Sequence, residues 1–191
     1  PIRQLGINAT RRQLVAGNEL GQIFIWNVQT GQALNRFQVN GVVVFRFDPA
    51  CRRLIAGRRD RVVEVWDIES GESLTTFSGH IRSISNVTGT RDGRLVYSAT
   101  NNGEVRVWDI KSAKQVRSLR TSPSFPVTLA ISPSGQYVAT NGTPRAQKFP
   151  IVVQDTKTGA EIKAVFDDFS DFQCQNGPEV RSASNGMNPR A

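Results

Sequence analysis

The chain is poor in the residues that most often carry chemistry. Its 191 residues include one histidine, two cysteines, one methionine and two tyrosines. A single imidazole, His80, leaves almost no material for a catalytic triad or a histidine-rich metal site. Cys51 and Cys174 stand far apart with no CxxC spacing, which excludes a disulfide framework and a cysteine-based zinc site. They read as two idle thiols of a reducing, intracellular compartment, in nucleus or cytoplasm. No apolar run approaches the roughly 18–20 residues of a membrane-spanning helix. No charged segment followed by an apolar one opens the chain as a secretory signal would. Neither GxxxxGK[ST] nor GxGxxG precedes a helix, so no nucleotide-binding loop is expected. The Asn-Xaa-Thr triplets at Asn8, Asn86 and Asn141 are about as frequent as chance allows in an Asn- and Thr-rich chain, and are read as unused.

Acidic residues are also scarce. Sixteen Asp+Glu face 24 Lys+Arg, a formal net charge of +8, and that excess favours an acidic partner. Nineteen of the 24 cations are arginines, whose planar forks suit carboxylates and phosphates. A 38% hydrophobic content still supports a packed core.

What is present is a repeat. Gly21-Gln-Ile-Phe-Ile-Trp26-Asn27, Arg61-Val-Val-Glu-Val-Trp66-Asp67, Gly103-Glu-Val-Arg-Val-Trp108-Asp109 and Phe149-Pro-Ile-Val-Val-Gln154-Asp155 read alike. The tryptophans are 40 and 42 residues apart, and Asp155 follows Asp109 by 46. A turn and a short strand follow each segment, as in Thr30-Gly31 to Phe37 and Ser70-Gly71 to Phe77. Two further strands precede each, at 81–87 and 94–100 in the third unit and at 127–132 and 136–140 in the fourth. Period-2 alternation broken every 8–12 residues by turn residues predicts an all-β chain without helices.

Units of this length, four strands each, with Trp-Asp closing the third, resemble the WD repeats of a β-propeller. Ser78-Gly79-His80 supplies the Gly-His that opens such a repeat. The resemblance implies four-stranded antiparallel blades, strands a to d from centre to rim, at 1–38, 40–78, 80–120 and 124–166. Residues 167–191 form either a partial fifth blade or a polar tail. Propellers of this family have seven or eight blades, so the chain is expected to be part of a longer ring or to be completed by a second chain.

The resemblance also implies structural roles. Trp26, Trp66 and Trp108 are expected between adjacent blades. A network would link such a Trp to a strand-b Ser or Thr, an Asp in the b–c turn and the Gly-His histidine. The third unit comes nearest, with His80, Thr100 (or Ser98) and Trp108, but has Asn102 at the turn. The second keeps Asp60 and Trp66, with Asn40 where the histidine would lie and Arg58 opposite Thr100. Asp67, Asp109 and Asp155, with Asn27, are expected to cap the c–d turns. Lying in different blades, they form no catalytic carboxylate pair.

The cations sort by loop. Arg11, Arg12, Arg52, Arg53, Arg91 and Arg94 lie at a–b connections and predict a basic arc on one face. Arg58, Arg59 and Arg61 at a b–c turn, with Arg145 and Lys148 in the enlarged fourth b–c loop, predict a cluster on the other. Arg58 has a second reading, as an inward-pointing structural substitute. The expected function is a non-enzymatic scaffold without cofactor that binds other protein subunits through acidic or mixed segments. The alternative is RNA or ribonucleoprotein binding through the arginine surfaces, against which the lack of interleaved aromatics counts.

Overall fold

The computed structural model describes residues 1–120, 128–141 and 151–165. Val, Ile, Thr and aromatic residues alternating with polar ones favour a pleated, half-buried chain, and all regular structure among the described residues is β. Four sheets of four strands follow one another. The first holds β1 (Ile2–Asn8), β2 (Gln13–Asn18), β3 (Gln22–Asn27) and β4 (Ala33–Gln38). The second holds β5 (Val42–Phe47), β6 (Arg53–Arg58), β7 (Val63–Asp67) and β8 (Ser73–Phe77). The third holds β9 (Ile84–Gly89), β10 (Leu95–Thr100), β11 (Glu104–Asp109) and β12 (Lys114–Arg120). The fourth holds β13 (Leu129–Ile131), β14 (Tyr137–Asn141), β15 (Ile151–Asp155) and β16 (Glu161–Val165). Each is an antiparallel meander in which every strand pairs with the next in sequence. These are the expected four-stranded blades of a partial propeller, and closure into a ring is not seen among the described residues.

The turns explain why the meander repeats. In every a–b turn an N–H bonds the carbonyl three residues back, from Arg12, Cys51, Gly93 and Gly135. That residue always has positive φ. Glycine adopts this backbone freely, whereas Arg12 (φ 54°) and Cys51 (φ 47°) hold it against steric resistance. In the third and outermost strands of each blade the register shifts beside Trp26, Trp66, Trp108 and Gln154. Such a bulge twists the rim strand and blunts an edge that would otherwise pair with other chains.

The core lies between blades, not within them. Val15, Ile23 and Ile25 of the first meet Phe45, Leu54 and Ile68 of the second. Ile55, Val63, Val65 and Phe77 of the second meet Ile84, Val87, Val96 and Trp108 of the third. Tyr97, Val105 and Leu119 of the third meet Leu129 and Val138 of the fourth. Blades two and three are thus covered on both sides.

Candidate functional site

Rim strands tie the blades together through aromatics. Phe37 on β4 stacks on Trp66 with ring centroids 5.5 Å apart, and Phe77 on β8 stacks on Trp108 at 5.1 Å. At the next junction the corresponding register positions hold Leu119 and Gln154, so no aromatic pair forms there. Trp26 has only its own strand neighbour Phe24, at 5.8 Å.

Behind Trp108 lies a closed set of polar contacts. The indole N–H donates to Ser98 Oγ at 2.8 Å, and Ser98 Oγ lies 2.7 Å from His80 Nε2. His80 Nδ1 is 3.3 Å from Glu104 Oε2, and Arg106 Nε donates to Glu104 Oε1 at 2.7 Å. The Arg106 guanidinium in turn lies over the Trp108 ring, 5.8 Å from its centroid. Gly79 has φ 133°, a backbone that favours glycine, and the tip of the Arg106 side chain packs over it beside His80. Burial pushes the His80 imidazole below its ordinary 6.5 despite Glu104 beside it. Neutral His80 therefore donates from Nδ1 to Glu104 and accepts the Ser98 hydroxyl at Nε2, while Ser98 accepts from Trp108. Burial alone would raise the Glu104 carboxyl, but its bonds to Arg106 and His80 outweigh that and hold it below the usual value.

Two expectations about this network need correcting. Ser98, not Thr100, lies between histidine and tryptophan. Thr100, two residues nearer the b–c turn, donates to Asn102 Oδ1 at 2.6 Å and braces that turn. The acid is Glu104, at the head of β11, rather than a b–c turn residue. Side chains alternate along a strand, so Ser98 and Thr100 share a face, and only their depth in the blade separates their partners.

Blade two has no such network. Ala56 occupies the position of Ser98 in the strand pairing, and the buried Trp66 Nε1 finds no hydrogen-bond partner. Asn40 is exposed rather than seated like His80, while Val39 beside it is buried in the apolar core. Asp60 lies at the surface and pairs with Arg58 at 3.1 Å instead of reaching Trp66.

The four Asx residues after the third strands lie in one geometry. Asn27 Oδ1 accepts from the N–H groups of Gln29 and Thr30, and Asp67 Oδ1 from those of Glu69 and Ser70. Asp109 Oδ1 accepts from Ser112 N–H, and Asp155 Oδ1 from Lys157 and Thr158. Those backbone donors hold the Asp109 and Asp155 carboxyls below their ordinary range.

The a–b arginines do not form a free basic arc. Arg11 pairs with Glu69 of the next blade, and Arg12 donates to Gln29 Oε1 at 2.8 Å. Arg53 donates to the Gly93 carbonyl of the next blade, and Arg94 Nε lies 3.3 Å from Asp109. Arg52 and Arg91 remain exposed, without a side-chain hydrogen bond or ion pair among the described residues. Most of the arc is consumed in joining loops.

The opposite face differs. Arg58 turns inward: Nη1 meets buried Glu64 and Nη2 meets Asp60, each at 3.1 Å. The Glu64 bond is the main cause of its raised pKa. Glu64 also accepts the Ser73 hydroxyl at 2.9 Å. Arg59 is exposed, and its side chain has no partner among the described residues. Arg61 has φ 68° at the b–c position where blades one and three place Gly21 and Gly103. Its Nη1 reaches across the blade junction to the Ile81 carbonyl at 3.3 Å. Exposed Ile81 and exposed, unpaired Arg82 adjoin it. Arg82 was not anticipated from sequence; its place in a d–a loop beside the b–c cluster was the available signal. Arg145, Lys148 and Cys174 lie outside the described residues, as does the segment 167–191.

Four-stranded antiparallel blades packed face to face, the second and third each seating its neighbour's rim aromatic, are the architecture of a partial propeller. Residues 71–109 match the family described as WD domain, G-beta repeat. The matched stretch runs from β8 through β11, so the repeat straddles the second and third blades and carries the Phe77–Trp108 stack and the His80 network. That stretch is similar to a WD repeat, and repeats of this family serve in general as platforms for protein interaction.

Proposed function

We propose that this protein is a docking scaffold within a multi-subunit assembly, binding an acidic protein segment at the junction of blades two and three. Arg59, Arg61 and Arg82 would receive carboxylates, and Ile81 an aliphatic side chain between them. One observation carries the reading. Arg61 holds a left-handed backbone that glycine takes in the two adjacent blades, and its guanidinium reaches the Ile81 carbonyl across the blade junction, which fixes a cation between exposed loops. Arg58 is already neutralised and serves to hold the turn. The stacked aromatics among the described residues belong to strands rather than to this loop face, which favours a peptide over a single-stranded nucleic acid.

Fluorescence anisotropy tests the proposal with two probes, an Asp/Glu peptide with a central leucine and a poly(U) 12-mer. Arg61→Gly should weaken the peptide by roughly tenfold while leaving the fold intact, and Arg59→Glu should weaken it further. Unchanged peptide affinity in both variants would remove the proposal. Tighter poly(U) binding with a steep log-linear salt dependence would replace it with the RNA reading.

A further inference from the structure

We propose that His80 is a pH-responsive latch on the docking segment that follows it, seating Ile81 and Arg82 at neutral pH and releasing them in mild acid. What the latch releases rests on the acidic-segment docking proposed above; the latch itself rests on geometry. The chain crosses from core to surface in one step here. The His80 side chain is 0% exposed, and the next residue, Ile81, is 69% exposed. Arg82 and Ser83 are exposed too, and Ile84 is buried again at the start of β9. Among the described residues, the hydrogen bonds to this span come from Arg61 Nη1 to the Ile81 carbonyl and from Asn101 N–H to the Ser83 carbonyl, each at 3.3 Å. The imidazole, 2.7 Å from Ser98, is the deep anchor.

The matching loop between blades one and two has an anchor that cannot titrate. Val39 is buried in the core there, and the Arg59 N–H donates to the Gly41 carbonyl at 2.7 Å. The seat of His80, by contrast, needs a neutral ring. Ser98 Oγ already receives the Trp108 N–H, so its own hydrogen goes to Nε2; a proton on Nε2 leaves that hydrogen without an acceptor. The charged groups that act on the ring are Glu104 and Arg106, both on β11, with Ser98 on β10 and the Trp108 ring edge-on beside it. Arg106 bonds the same carboxylate and opposes a second cation there. Burial therefore keeps the seated imidazole neutral below 6.5, whereas one released into water takes up its proton near that value. Between the two values, each unit of acidification shifts the balance about tenfold toward the released form. Ile81 and Arg82 leave with the ring, and Arg61 loses its carbonyl. The sign is distinctive, because acidification adds positive charge and by itself tightens an acidic ligand.

The test follows the full-length protein from pH 7.5 to 5.5 at fixed salt. NMR hydrogen exchange of the Asn101 amide, corrected for its intrinsic rate, reports the seat without ligand or mutation, and the Arg59 amide is its control. Anisotropy of the Asp/Glu peptide with a central leucine reports docking. Asn101 protection should fall about tenfold while Arg59 protection holds, and peptide affinity should fall by a similar factor. His80→Gln keeps an acceptor for Ser98 and has no proton to gain, so both readouts should become flat with pH. A peptide that binds at no pH removes the docking proposal, and the Asn101 amide then still decides the latch. Asn101 protection that does not change, an equal loss at Arg59, peptide affinity that holds or rises in acid, or an unaltered pH dependence in His80→Gln overturns it.

Discussion

The indole N–H of Trp108 donates to the Ser98 hydroxyl at 2.8 Å, while the buried indole N–H of Trp66 has no acceptor among the described residues, and Ala56 stands at the register position of Ser98. The two blades share a backbone and differ in one oxygen atom at this position. Removing it from the third, in Ser98→Ala, strands the Trp108 donor and one His80 nitrogen. The expected cost is about 3 kcal/mol, read as a lower urea midpoint at unchanged slope. Adding it to the second, in Ala56→Ser, should stabilise by about 1 kcal/mol. A destabilised Ala56→Ser protein would mean that the indole is satisfied in another way.

The junctions should differ in strength. Phe77 is fully buried on Trp108, whereas Phe37 is only partly covered on Trp66. Phe77→Ala is expected to cost about 3–5 kcal/mol and Phe37→Ala less, since the loss scales with buried area and the cavity left behind. Thermal unfolding of both variants decides the order.

Left-handed arginines give a paired prediction. Arg12→Gly and Arg61→Gly both relieve a strained backbone and should each raise stability by up to about 1 kcal/mol. Only Arg61→Gly should reduce binding of the acidic peptide. Equal loss of binding in both would indicate a diffuse charge effect.

Stability should depend on pH in two separate windows. Burial lowers the folded-state pKa of His80, so below about 6.5 the unfolded chain takes up a proton that the folded chain resists. Stability contributed by neutral His80 is complete above that pH and declines as pH falls beneath it. Glu104 acts in the same sense in a more acidic window: its lowered pKa contributes stability above its ordinary 4.5, lost only in stronger acid as it protonates in the fold. His80→Asn should abolish the upper window and leave a lower one reduced to what the Arg106 bond to Glu104 supplies, measured by denaturant titration across pH.

Turn caps give a more local test. Asp67→Ala leaves the N–H groups of Glu69 and Ser70 without their shared acceptor and should cost about 1 kcal/mol. Asp67→Asn, which keeps the oxygen, should recover most of it.

Particular residues show where sequence reasoning reaches. Asn27, Asp67, Asp109 and Asp155 could be placed from their neighbours because an Asx oxygen meets N–H groups two or three residues ahead. The arginines could not. Arg11 meets Glu69 at a separation of 58 residues and Arg53 meets Gly93 at 40, so their charge was spoken for by the next blade. Ser98 against Thr100 was undecidable for a related reason. Both are strand-b hydroxyls on one face, and which one reaches the indole depends on how deeply the neighbouring loop inserts His80.

The repeat of about 42 residues, its alternation and its turn residues therefore settle the blade, because strands and tight turns are local and recur with the chain's own period. The scarcity of histidine, cysteine and acid likewise narrowed the chemistry before any fold was known. Which cations stay free and which tryptophan lacks an acceptor are decided only when blades pack. Those outcomes depend on residues a full repeat away, and burial in a propeller is created between blades rather than inside any one of them.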